Sequence, residues 1–202
     1  MPRTAEQNTA ARAATRAAIE TAAVRVFARH GFADSNMRKI AAEADLSAGS
    51  IYRHFASKEE LFDALLRHAS EGMRMAAAHL SGGGDPLHLL RGFTEGYIAD
   101  LVSGDGAAEF FMVMNHGFTT DSPPGTASRL AVEQGALWDA VADLVRRGQR
   151  TGAFAAGDPR RVTAHYFALL TGLTSMHLAM GTGLPEPDVD LVLRTLIGGE
   201  QR

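Results

Sequence analysis

Gly49 and Ser50 are the residues from which a chemistry can first be argued. They are small and stand at the start of a predicted short helix. Their backbone can approach a phosphate closely, where unpaired helix amides and the helix dipole favour an anion. Enzymatic alternatives find little support. The sequence holds no G-x-S-x-G, P-loop, H-E-x-x-H or strand-linked G-x-G-x-x-G pattern. Gly181-Thr182-Gly183 lacks both a third glycine and a preceding strand pattern. With no cysteine present, disulfides, thiolate metal sites and cysteine catalysis are excluded. His116, His165 and His177 could bond a polar ligand atom, but no pair of them has i, i+4 spacing, so no metal is expected. No cofactor is implied.

Charge is divided unevenly. Residues 1–58 hold nine Lys/Arg and five Asp/Glu, whereas residues 59–202 hold eleven and eighteen. A basic head on an acidic body fits a phosphate-binding module joined to a part that stays off nucleic acid.

The elements that must position this head read as helix after helix. Ile19, Ala22, Ala23, Val26 and Phe27 form an apolar stripe. Arg29 and His30 followed by Gly31 close that helix, predicted over 10–30. A short helix follows over 37–44, capped by Ser35 or Asn36. Asp45-Leu46-Ser47 breaks it, and a second short helix is predicted over 48–55 with Ser47 as N-cap. Met37, Ile40, Ala41, Leu46 and Ile51 are spaced to share a small core. Two short helices joined by a tight turn make a helix-turn-helix, whose second helix can lie in the major groove. Ser57-Lys58-Glu59-Glu60 is a capping box opening a long helix toward Leu80. Further helices are predicted over 86–102, 107–116, 126–150, 159–181 and 187–198, with a loop over 117–124. No strand pattern appears. The expected class is all-α with about nine helices, divided into a DNA-binding domain (10–58) and a ligand-binding and dimerisation domain (59–202).

The runs Phe27-Ala28-Arg29-His30-Gly31-Phe32, Met37-Arg38-Lys39-Ile40-Ala41, Leu46 to Phe55 and Ser57-Lys58-Glu59-Glu60-Leu61 closely resemble the DNA-binding domain of tetracycline-repressor-like (TetR) regulators. The resemblance is continuous over about residues 17–66. It implies a homodimeric repressor that binds a palindromic operator and releases it when a small molecule enters the C-terminal domain. Activating members exist. It also implies that Ser35, Arg38, Ser47, Ser50, Tyr52 and Lys58 approach phosphates, and that Arg53 and His54 reach base edges. Where the family often carries lysine after Ser47, this chain has Ala48, which can at most touch a thymine methyl.

Behind the head, Tyr97, Phe110, Met114, Trp138, Tyr166 and Phe167 are the expected pocket residues, because aromatics and methionines pack around apolar ligands. Glu95 and Asp100 fall where they could face solvent, which implies a largely hydrophobic effector with one or two polar groups. The apolar face Tyr166, Leu169, Leu170, Leu173, Met176 and Met180, with Val192 and Leu196 beside it, is expected to form a four-helix dimer interface. Residues 162–185 carry no Asp, Glu, Lys or Arg, a length that could span a bilayer. Their threonines, histidines and glycines argue instead for a buried helix and no membrane. The polar N-terminus (residues 1–14) has no apolar core of a signal peptide, so a cytoplasmic location is expected. An enzyme and a ligand-independent architectural DNA binder are the competing classes.

Overall fold

The computed structural model describes residues 5–197, and every regular element in that range is helical. The order is α1 (Ala5–His30), α2 (Met37–Glu43), α3 (Ala48–Tyr52), α4 (Lys58–Leu80), α5 (Pro86–Val102), α6 (Ala107–Thr120), α7 (Thr126–Thr151), α8 (Pro159–Met180), a 3₁₀ turn (Gly181–Gly183) and α9 (Val189–Arg194).

Local chemistry sets most of these boundaries. Asn36, not Ser35, caps α2, its side chain accepting from the Lys39 N–H. Ser47 accepts from the Ser50 N–H and Ser57 from the Glu60 N–H. The Glu60 carboxylate reaches back one residue past the N-cap and accepts from the Ala56 N–H at 2.7 Å, a variant of the expected capping box. Asp85 and Asp158 cap α5 and α8, each with proline in the first turn.

Several boundaries differ from expectation, among them the end of α3, which stops at Tyr52 rather than at Phe55. The alanine-rich stretch continues α1 back to Ala5, as its helix propensity permits. Gly117 does not end α6, which runs on to Thr120. This glycine is buried, and a Cβ there would meet Thr126 Cγ2 at 3.1 Å. It is a contact point between α6 and the start of α7 rather than a break. The last helix starts at Val189, one residue after the Asp188 N-cap, and gives way to a turn after Arg194. Its expected end at Gly198 lies outside the described residues, as do Met1–Thr4.

Two apolar clusters hold these helices. The first joins Ile19 and Phe27 of α1, Ile40 of α2, Ile51 of α3 and Leu61, Phe62 and Leu65 of α4 to Val113, Met114 and Leu130. Each fully buried aliphatic or aromatic side chain there contributes about 1.5–3 kcal/mol. Phe27, Phe32 and Phe62 pack with centroids 5.1–5.6 Å apart. The second cluster is built from Leu90, Val141, Leu144, Val145, Tyr166, Leu170 and Leu193. Met73 packs against both. The division expected at 58/59 therefore falls inside the first cluster, because the first half of α4 is part of the head's own core. Arg147 of α7 fixes the far end of α4, donating to the carbonyls of Leu80 (2.8 Å) and Gly82 (2.7 Å).

Candidate nucleic-acid interface and ligand cavity

The recognition surface is built on α3. Its inner side is Ile51, fully buried, with Phe55 just beyond. Its outer side carries Ser47, Ala48, Gly49, Tyr52 and Arg53, all exposed, with Ser50 half-buried. The Ser47 and Ser50 hydroxyls lie 2.9 Å apart, and the Arg53 guanidinium donates to Ser50 Oγ at 3.0 Å. Tyr52 is 53% exposed, which sets it apart from the core aromatics. Nothing lies within 4 Å of a Cβ built on Gly49, so the backbone there is open to an approaching phosphate. Arg38 is exposed on α2.

Two expected phosphate contacts point elsewhere. Ser35 is only 4% exposed, and its hydroxyl donates to the Gly31 carbonyl. It seals the end of α1 instead of facing a ligand. The Lys58 ammonium turns inward, donating to the carbonyls of Phe32 (2.6 Å) and Ser35 (2.9 Å) and lying 4.2 Å from the centre of the Phe32 ring. Three α1 residues that sequence reading omitted lie beside the recognition helix instead. Asn8, Arg12 and Thr15 share one face of α1 and, with Arg53 and His54, line a surface hollow of about 700 Å³. Their i, i+4, i+7 spacing was the available signal. Partial burial, and then the cations of Arg12, Arg53 and Arg16, hold the His54 imidazole below its ordinary pKa. That is the electrostatic mark of a place suited to an anion.

A cavity of about 470 Å³ lies between α4, α5, α6 and α7, with Phe167 of α8 at its wall. Tyr97, Phe110, Met114 and Phe167 line it. Trp138 and Tyr166 are not among its wall residues. Trp138 stacks on Phe167, ring centres 5.4 Å apart and planes 19° from parallel. Tyr166 is fully buried, its hydroxyl 2.8 Å from Thr94 Oγ1, and burial pushes its phenol pKa well up. Tyr97 likewise uses its hydroxyl inside the protein, 2.6 Å from Thr174 Oγ1. Glu95 is exposed and pairs with Arg91, and Asp100 is exposed as well, as expected for both, while also standing at the edge of the cavity. Among the described residues no group of three His, Asp or Glu converges as a metal site, and no helix is long and apolar enough to cross a membrane.

The expected dimer residues separate into two sets. Val192 and Leu196 are buried in the second cluster of their own protomer, and Leu169 and Leu173 pack partly against it. Met176 and Met180 are half-exposed or more, and α9 turns Leu191 outward. The outer face of α8 consists of Ala168, Thr171, Ser175 and Ala179 beside those two methionines.

A helix-turn-helix carried on a helical body with an apolar cavity defines a DNA-binding regulator. Residues 19–65 match the profile of the bacterial regulatory proteins, tetR family. The HTH-type transcriptional regulator TtgR of Pseudomonas putida is 32% identical over 170 residues, covering 79% of this chain and 78% of that protein. The chain belongs to the tetR family and is a transcriptional regulator, not an enzyme. Solved structures below 25% identity show the same fold. The MbdR regulator from Azoarcus sp. CIB superposes with a TM-score of 0.77 at 18% identity, over 93% of this chain and 100% of that one. SmeT of Stenotrophomonas maltophilia in complex with triclosan gives 0.68 at 19% identity, over 93% of both chains.

Proposed function

We propose that this chain is a cytoplasmic, homodimeric repressor that binds a palindromic operator and leaves it when a small, largely hydrophobic molecule enters the cavity. The observation that carries this reading is that one helix serves both sites. The first half of α4 packs in the core that holds α3, and residues 68–76 further along it line the cavity. That the related SmeT was solved with triclosan, an aromatic compound, supports an apolar effector. One α3 reads a short half-site, so a two-fold dimer is needed for an operator-length sequence. The outer face of α8, with small residues that let a second helix come close, is the surface we assign to that dimer.

A chain of polar contacts supplies a second link between the sites. His68 lines the cavity and its Nδ1 lies 3.4 Å from Glu20 Oε2 on α1. The other Glu20 oxygen lies 3.2 Å from Arg16 Nε, an ion pair without hydrogen-bond geometry. Arg16 donates to the His54 carbonyl at 3.4 Å and covers the Phe55 ring at 4.1 Å. A ligand that moves His68 disturbs the exit of the recognition helix. To swing operator occupancy from 1:99 to 99:1 it must prefer the released form by about 10⁴-fold.

The test is fluorescence anisotropy with operator fragments selected from genomic DNA, titrated with aromatic compounds that raise the protein's melting temperature. Release at saturating compound is expected. Glu20→Gln should leave compound binding in place and shift the concentration needed for release. If every stabilising compound leaves operator affinity unchanged, the reading fails and a ligand-independent DNA binder replaces it.

A further inference from the structure

The cavity wall has a chemistry that selects among effectors. It contains no lysine and no arginine. Its one carboxylate is Asp100, and its one imidazole, His68, has its Nδ1 turned to Glu20. Asp100 has no ion-pair partner among the described residues. Partial burial first, and the Asp105 carboxylate second, hold the Asp100 carboxyl above the ordinary carboxylate range. A neighbouring cation would relieve both.

The rest of the wall is aromatic and aliphatic with two neutral polar side chains, Asn115 and Gln134, and in one place it is bare. Tyr97 and Phe111 stack with centres 4.7 Å apart and planes 11° from parallel, and Phe110 stands 6.3 Å from Phe111. Ring faces attract cations, most strongly weakly hydrated ones. Gly92 and Gly96 lie one turn apart on α5, and Gly72 faces the same cavity from α4. A Cβ on any of the three would meet nothing within 4 Å. Glycine inside a helix is disfavoured, and these three are exposed at the open side of the cavity with no packing contact that requires them. The space stands beside Asp100, which is one turn beyond Gly96.

We infer that the cavity takes a lipophilic cation, a bulky aromatic molecule with one delocalised positive charge, lodged among Phe93, Tyr97, Phe110 and Phe111 with its charge toward Asp100 and its bulk along the glycine-lined wall. Carboxylates and other anions are rejected, because the only full charge built into the wall that lacks a partner is negative. The inference rests on the reading of the cavity as the effector site.

Tetraphenylphosphonium and tetraphenylborate, nearly identical in shape and opposite in charge, test it on the full-length protein. Isothermal titration should show saturable binding of the phosphonium, at least about tenfold tighter than of the borate. Asp100→Asn should weaken the phosphonium by about tenfold or more and narrow the gap between the two ions. Gly96→Phe, which puts a ring into the open space, should abolish phosphonium binding; Gly92→Phe serves should the first variant unfold. Absent phosphonium binding, a borate that binds as well or better, or an Asp100→Asn variant with unchanged affinity would each overturn the inference. Operator release is read separately. Asp100-dependent phosphonium binding without release would uphold the ligand class and refute gating. Release by the borate, with no phosphonium binding, would refute the ligand class and uphold gating.

Discussion

Replacing Lys58 by methionine separates a structural cation from a phosphate contact. The methionine keeps most of the apolar stem and removes the ammonium. In the structure that ammonium holds the connection between α1 and α2 to the start of α4, through the carbonyls of Phe32 and Ser35 at 2.6 and 2.9 Å, with Ala33 at 3.4 Å. Charge-assisted hydrogen bonds are worth about 1.5–3 kcal/mol each, and solvent near this half-buried site favours the low end. The Phe32 ring adds about 0.5–1 kcal/mol. Relief of the ammonium's desolvation offsets part of this, leaving a loss of about 2–3 kcal/mol. For a chain of this length that corresponds to a fall in Tm of about 4–12 °C. Calorimetry measures it. Operator binding is followed by anisotropy across a salt series below the new Tm. A lost phosphate contact would reduce the slope of log K against log salt by about one. The expected result is a lowered Tm with the slope unchanged. An unchanged Tm with a slope reduced by one would refute the inward placement of Lys58.

Other consequences are as direct. Arg53→Ala should relax preference at a single operator position by about 1–3 kcal/mol, read by anisotropy on single-base operator variants, whereas uniform weakening across variants would place Arg53 on the backbone. Met176→Glu puts a charge on the exposed face of α8 and should yield folded monomers in sedimentation that no longer shift the operator; a stable dimer would move the interface elsewhere. For His54 the folded pKa lies below the ordinary 6.5, so its contribution to stability is present above that value and declines as pH falls through it. Operator phosphates near this imidazole would favour its charged form, so affinity should rise as the pH falls through the region of 6.5 and below, and the rise should vanish in His54→Asn. A pH-independent affinity in the parent protein would remove His54 from the interface.

The head was legible because its signals are local. Caps at Ser47 and Ser57, the glycine after His30 and the spacing of Ile40, Ala41 and Ile51 each act within a turn or two of chain. Ser35 and Lys58 were misplaced for the opposite reason. Where their polar atoms point depends on the end of α1 meeting the start of α4, more than twenty residues apart in sequence. Asp100 is exposed as expected, but its place at the edge of the cavity could also have been read. Gly92, Phe93, Gly96, Tyr97 and Asp100 occupy an arc of about 140° on an ideal helix, with Asp100 near its centre and Glu95 on the opposite side. Both acids reach solvent, and that periodicity is what sets only Asp100 beside the cavity. The dimer surface shows the true limit. An apolar stripe records that a face is covered, not by which chain, and Val192 and Leu196 are covered by their own protomer. Of the stripe on α8, Met176 and Met180 are exposed, whereas Tyr166 and Leu170 are buried in their own protomer. The rest of the exposed face, Ala168, Thr171, Ser175 and Ala179, is made of small residues that carry a weak hydrophobic signal beside Met176 and Met180. Small residues let two helices approach closely, so a reading that ranks residues by hydrophobicity passes over the surface we propose for the second copy.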